Sequence, residues 1–586
     1  MTESSSNRKF VGNDFRNPSW TSGFFVDFLC VFSIFFIYAG SNVPAINEPH
    51  YWTKAAHFWN SDFGRGDLFL ESGDAHWLFF ATFGYLTRCM PLPWAVWTGR
   101  FVTWMFLAAG WTILGRSLWK FRNSFEAVEA TESLDQSSGS LFYAPLVASC
   151  WAVVWLAGLH YGHWAGEWVV GGCESKGIAY AMIFAGLAMA IRRRWTLAWT
   201  FLGGSAAFHV VTGIWVIACV GTISIALDWW TPKIGFWKWV AMHRLGWVLC
   251  IVGVLMGVVP AMAIDWGTDP VLASESAVKQ VYTRLGHHLA PSRFNSVRWQ
   301  NFELQLGCAA ILLLLTIRSI WRDGRSMPRG VRFAVGAGLF GFAVALMGLL
   351  IDYGIGTFSK PIASKVLRFY LFRWNDVAMP MMIGALAVSF AFGHLRYRPY
   401  PVLARWIVCC SALLPGIVLL GYRFEANWKE AIPAGDKANF VAKTDSDSVQ
   451  QKQFQDWLLV CNWIKENSEH GSLWLTPRRQ QSFKWHTGRP ELACWKDAPQ
   501  NAEDVVEWSK RLADAYPFDK AKNLVPWTTE KLWELQAKYG IRYVLLDRRV
   551  TGQNLPLLPI LYPSPTEFNE SFAVFELTPP KANVSR

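Results

Sequence analysis

Five carboxylates and three histidines crowd into one polar stretch, NEPHYWTKAAHFWNSDFGRGDLFLESGDAH (47–76), opposed there only by Lys54 and Arg65. Glu48 follows directly on an apolar run. A carboxylate at such a membrane exit can act as a general base in a shallow site, taking the proton of an attacking hydroxyl; a solvated acidic loop is the plainer alternative. Glu167 and Glu174 stand in a second polar stretch, HYGHWAGEWVVGGCESKG (160–177). Carboxylates at membrane level are costly and usually face a cavity, so these two are candidates to orient an acceptor or a metal beside Glu48. The histidines gather in the same class of segment: His50, His57, His76, His160, His163, His209, His287 and His288. Imidazole suits proton transfer near neutrality and metal ligation. No HExxH or comparable spacing occurs, so no metal ligands are assigned, and a divalent cation is the one cofactor left open. A third stretch, 352–375, carries Lys360, Lys365, Arg368 and Arg373 among Phe369, Tyr370, Phe372 and Trp374. The planar guanidinium bonds phosphate through paired hydrogen bonds, and the aromatic neighbours suit a lipid chain. An ion pair with Asp352 or Asp376, or contact with headgroups, is the structural alternative.

The elements that must position these groups are membrane helices. The chain is 52% hydrophobic and only 17% charged, against roughly 25% charged in soluble domains. Many apolar runs approach the ~20 residues that cross a bilayer as helix, and abundant Trp suits interfacial belts. The net charge of +12 is no sign of nucleic acid, because much of it sits in short loops between apolar runs, where it sets orientation. Spans are expected near 22–44, 93–115, 142–159, 177–191, two within 196–229, then 245–264, 302–319, 333–351, 376–394 and 402–421. Basic groups at 116–122, 192–194, 233–244, 318–332 and 396–405 fall on one side only if 76–90 does not cross. That reading gives eleven spans, a cytoplasmic N-terminal tail (1–21), a membrane domain (22–422) and a C-terminal domain outside (423–586), in a cytoplasmic membrane. Within the first stretch, 49–60 reads as an amphipathic helix with Tyr51, Ala55, Phe58 and Trp59 near one face.

The C-terminal part changes character. Helical patterns at about 453–467, 501–516 and 528–539 alternate with apolar strands at 472–476, 541–547 and 572–577, which suggests a small α/β domain. The 11 cysteines include no CxxC pair, and most lie in apolar runs as small core residues. Cys461 and Cys494 fall in the polar part and could pair in an oxidising compartment.

This pattern resembles the GT-C superfamily of membrane glycosyltransferases, which includes protein O-mannosyltransferases and oligosaccharyltransferase subunits. Asn47-Glu48-Pro49-His50-Tyr51 looks like the acidic motif of their first outer loop, with Asn47 in place of the usual aspartate. GEWVVGGCESKG lies where their second acidic motif stands, with glutamates. The resemblance covers about 20–420 and implies an all-α polytopic fold, an inverting transfer from a polyprenyl-phosphate sugar to a glycan or protein acceptor, and contact with membrane lipid. It implies Glu48, Glu167 and Glu174 as catalytic candidates. Asn47, His50, His209, His288, Arg368 and Arg373 would bind substrate. The whole chain also resembles an uncharacterised group of large bacterial membrane proteins, with segments such as TPRRQQSFKWHTGRPELACWKD (476–497). Two other classes of function fit the scaffold: a non-catalytic protein that binds lipid-linked glycan or supports envelope assembly, and a transporter. The few intramembrane charges and the absence of a visible repeat weigh against the transporter.

Overall fold

The computed structural model describes residues 18–119, 144–229, 240–241, 243–323, 327–391, 402–440, 445–521, 523–551, 555 and 558–577. Lys120, Arg122, Lys233, Lys238, Arg396 and Arg398, on which the expected sidedness partly rests, lie outside them.

Among the described residues, each apolar segment expected to cross is helical over most of its length. In chain order the main helices of this part are α1 (Pro18–Ala39), α2 (Glu48–Trp59), α3 (Leu92–Leu118), α4 (Ala144–Gly162), α5 (Ser175–Ile191), α6 (Trp195–Phe208), α7 (Val210–Ser224), α8 (Arg244–Ala263), α9 (Ser296–Asp323), α10 (Arg329–Leu350), α11 (Lys360–Leu367), α12 (Arg373–Ala391) and α13 (Val402–Lys429). Among the described residues, 7 helices are long and apolar enough to cross a membrane, and Gly23–Ala39, Val147–Gly162 and Ser175–Ile191 are shorter apolar helices. The stretch 76–90 breaks into three pieces, Trp77–Thr82, Phe83–Tyr85 and Leu86–Cys89. None approaches the ~20 residues a span requires.

Small residues let the helices close up, as membrane packing demands. A Cβ on Gly253 of α8 would stand 2.4 Å from the backbone of Gly203 of α6, and one on Gly257 would stand 2.2 Å from the Ala206 carbonyl oxygen. Tryptophans fill the centre: Trp111 of α3 stacks on Trp151 and Trp155 of α4 at 4.1 and 4.4 Å. Their indole N–H groups donate to backbone oxygens of Ala148, Met381 and Val377, so each of these three buried donors is satisfied.

The C-terminal domain has a four-stranded sheet in the order β1 (Trp474–Leu475), β2 (Tyr543–Asp547), β4 (Phe572–Glu576), β3 (Ile560–Tyr562). β1 runs parallel to β2, and the other pairs are antiparallel. Both faces are covered, following the period-2 alternation of a strand. Tyr543 and Leu545 pack with Trp457, Val460 and Ile464 of α14 (Asp447–Asn467). Val544 and Leu546 pack with Trp508 and Leu512 of α15 (Ala502–Ala515) and Leu532 of α16 (Thr529–Tyr539). The expected strands and helices are present. β3, with one of its three residues buried, was not foreseen. Cys461 and Cys494 are both buried and free, so the pairing considered above is not made. Cys461 lies in the α14 cluster, whereas the Cys494 carbonyl accepts from Trp508 on the opposite face.

This domain sits on the membrane helices at one end. Gly64 N–H donates to Gly488 O (3.0 Å), Ala75 N–H to Gln500 Oε1 (3.1 Å) and Ala502 N–H to Asp265 Oδ1 (2.7 Å). The loops assigned to the outer side therefore share one face.

Candidate functional site

Glu48 opens α2, whose Pro49 suits a first helical turn. It does not stand in a shallow site. Its side chain is wholly buried, and about four lone-pair directions meet donors. Arg100 Nε and Nη2 donate to Oε1 and Oε2 at 2.7 and 2.6 Å. Ala45 N–H donates to Oε2 at 2.7 Å and Cys173 N–H to Oε1 at 2.9 Å. Gly172 makes the approach possible, since a Cβ there would lie 2.6 Å from Glu48 Oε1. One carboxylate thus ties α1's exit, α2, α3 and the 163–174 loop together. The face of α2 also differs from expectation. Trp52, Thr53, Ala55 and Ala56 are buried with Lys54, while Phe58 is exposed. Lys54 turns inward to cap Leu68–Glu71, donating to the carbonyls of Phe69, Leu70 and Ser72.

Glu167 and Glu174 come together around Lys176, whose ammonium lies 3.8 Å from each carboxylate and 3.8 Å over the Trp168 ring. Arg373 Nε pairs with Glu167 Oε2 at 2.7 Å, and Tyr180 OH donates to Oε1. Asp376, one turn on, accepts the backbone N–H groups of Trp164, Ala165 and Glu167 at 2.8, 2.9 and 3.1 Å and so fixes this loop to α12. Glu174 is the odd member. It is almost fully buried, yet its Oε1 has no hydrogen-bond partner. Burial raises its pKa to about 7 against the pull of Lys176, a hydrogen bond from Asn47, and Lys496.

His209 caps α7, and its Nε2 lies 3.1 Å from Arg373 Nη1. His76 stands beside it, ring to ring at 5.3 Å, with its pKa pushed down to about 4 by burial and then by His50 and Arg373. His288 contacts the Ala165 carbonyl. Arg373 is stacked 3.9 Å from Tyr370. Tyr370 has φ 54°, the left-handed region that bulky residues rarely adopt, and there the chain turns inward. Arg368, before that turn, is exposed against Phe369 and does not join Arg373.

The C-terminal domain contributes groups that the sequence did not single out. Lys496 lies close enough to Glu174 for the two charges to act on each other, and its pKa falls to about 8 through burial and then Arg284. Arg284 donates to the Lys496 carbonyl, and its Nε is buried without a partner. Beside them, Lys484 is enclosed by Asp67 (3.4 Å), Glu491 and Asp497 (2.8 Å), and His50 closes the ring by pairing with Asp497 at 3.0 Å. Glu491, Cys494 and Asp497 have donor atoms within 4.8 Å of one another, a spacing a metal ion could use. The Lys484 ammonium bonds two of the three. A cation is already supplied by the chain, so this donor set fits a divalent ion poorly.

A Domain of unknown function (DUF6798) matches residues 455–515, the segment that supplies Lys484, Glu491, Lys496 and Asp497. No curated protein matches the sequence. Among solved structures, ArnT from Cupriavidus metallidurans bound to undecaprenyl phosphate is similar with a TM-score of 0.45 and 10% identity, over 95% of this chain and 98% of that one.

Arg100 had a signal that could have found it. It is the one charge within the apolar run of 92–115, and an intramembrane charge needs a partner. Lys484, Lys496 and Arg284 had no such signal, since only the tertiary fold brings them to the site.

Proposed function

We propose that the protein is a GT-C-type glycosyltransferase that takes a sugar from a polyprenyl-phosphate carrier at the outer face of the membrane and inverts the anomeric centre. The observation that carries this reading is Glu174, a buried carboxylate with one unpartnered oxygen and a pKa near neutrality, set beside Lys176 and within electrostatic reach of Lys496, whose carbonyl Arg284 holds. Such a group is matched to general-base work at physiological pH. In this scheme Glu174 takes the proton of an acceptor hydroxyl. The new C–O bond forms as the anomeric C–O bond to phosphate breaks. The negative charge left on the carrier phosphate falls to Arg284 and Lys496, whose side chains are the less engaged cations, with Arg373 held by Glu167. Glu48, held by Arg100, positions the second acidic loop through Cys173 N–H and performs no proton transfer. Asn47 holds Glu174, and His50 braces Asp497. The test is Glu174→Gln in protein reconstituted with polyprenyl-phosphate sugars. Transfer should vanish while donor binding persists. Undiminished transfer would sink the assignment.

The saturation of Glu48 favours a second reading, in which the scaffold binds a lipid-linked glycan without turning it over. Binding of the lipid-linked sugar without transfer under any condition would select it. The proposed sidedness, N-terminus in and C-terminal domain out, is tested by fusing alkaline phosphatase to the C-terminus. An inactive fusion would reverse it.

A further inference from the structure

The basic stretch 352–375 splits at Tyr370 into two parts with different surroundings, and the first part is unaccounted for by the site. After the apolar helix Arg329–Phe358, the chain turns at Ser359 into α11. Ala363, Ser364 and Leu367 of α11 are buried against the protein. Its other side is apolar and open: Phe358 is 93% exposed, Ile362 56%, Val366 39% and Phe369 48%. Ile362 and Val366, four apart, share one face of α11, and Phe358 and Phe369 flank it at either end. Lys360, Lys365 and Arg368 are exposed along the same segment. Lys360 lies over the Tyr282 ring and Arg368 over Phe369, and none of the three has an ion-pair partner among the described residues. The segment is anchored at its end, where Trp215 Nε1 donates to the Phe369 carbonyl at 2.8 Å.

We propose that residues 356–369 form an interfacial lipid-binding segment that lies along the membrane surface and selects anionic headgroups. The occupant follows from continuity and charge. The open apolar face continues that of the preceding membrane helix, where Leu350, Tyr353 and Ile355 are also exposed, so it meets acyl chains rather than water. Three cations at that depth sit where phosphate groups lie, as in amphipathic helices that rest in an interface. Each cation near an anionic surface is worth roughly fivefold in partition. This explains why basic residues occur on a face where they are otherwise depleted, and it does not depend on the transferase reading.

The test is hydrogen exchange of the full chain in nanodiscs of phosphatidylcholine alone, and of phosphatidylcholine mixed equally with phosphatidylglycerol. Amides of 356–369 should exchange several-fold more slowly on the anionic discs, with those of α14 unchanged. The triple variant Lys360→Gln/Lys365→Gln/Arg368→Gln should erase the difference, and Lys360→Arg/Lys365→Arg/Arg368→Lys should keep it. Equal exchange of the unmodified chain on both discs overturns the proposal without reference to any variant. So does slowing by inorganic phosphate on neutral discs, which would mark a free-phosphate site instead.

Discussion

Glu48→Gln separates the two roles a buried carboxylate can have here. The substitution leaves the Arg100 guanidinium charged, wholly buried and without its counter-ion, and turns an amide N–H₂ toward a cluster of four donors. Breaking a buried pair from one side costs about 3–5 kcal/mol, because the remaining charge stays desolvated. Arg100→Met should cost a similar amount, leaving the carboxylate with only two backbone N–H groups. Removing both charges should cost less than the sum, with a coupling energy of about 2–3 kcal/mol for residues in direct contact. The assay is apparent melting of detergent-purified protein at one scan rate, for the wild type, both single variants and the double. Each single variant should melt well below wild type, and the double should lose clearly less than the two single losses added together. A Glu48→Gln protein that melts like wild type but has lost transfer would refute the structural role and restore Glu48 as the base.

Glu174→Gln should do the reverse, lowering turnover by about 10²–10⁴-fold with melting unchanged or slightly raised. Because the folded pKa of Glu174 lies at about 7 against an ordinary 4.5, turnover should rise with pH through neutrality. The same shift sets the sign for stability. The fold favours the protonated form, so this contribution is complete below about pH 4.5 and is lost as pH rises through 7; Glu491, raised to about 7 by burial, adds in the same direction. A melting profile that climbs from pH 5 to 7.5 in wild type, and equally in Glu174→Gln/Glu491→Gln, would contradict both. Lys484→Met leaves Asp67, Glu491 and Asp497 without their shared cation. It should lower melting by an amount that shrinks as acid protonates Glu491. Gly257→Leu should disrupt the α6–α8 contact, where no room for a Cβ exists, and lower the yield of folded protein in detergent. Normal yield and melting would show that the helices can separate there at little cost.

The parts of the molecule legible in the sequence are those set by local pattern. Apolar runs of span length became helices among the described residues, and 76–90, expected not to cross, is too short and is divided at Phe83–Tyr85. In the C-terminal domain the strands at 474–475, 543–547 and 572–576 were visible because burial on both faces makes their apolar run nearly continuous. β3 was not, because it is only three residues long and stands between Pro559 and Pro563, which mark a loop rather than a strand. At the site, residue types were informative but pairings were not. Glu167, Glu174 and Arg373 converge, and Glu48 stands beside Glu174 but is sealed by Arg100, whereas Arg368 faces away beyond Tyr370. Side-chain partners 52 positions apart, such as Glu48 and Arg100, or 447 apart, such as His50 and Asp497, leave no trace in spacing.

Lys484 draws its counter-charges from two distant parts of the chain, Asp67 in the first loop and Glu491 with Asp497 in its own. This has a consequence for anyone exchanging parts between related proteins. A chimaera that swaps the C-terminal domain at the end of α13 inherits one set of charges from each parent, and any mismatch leaves a buried ion stranded. Segments 47–76 and 478–497 form one inheritable unit although some four hundred residues separate them. Recombinants should be viable only when both come from the same parent, and libraries built with a single crossover will under-report which C-terminal domains are compatible.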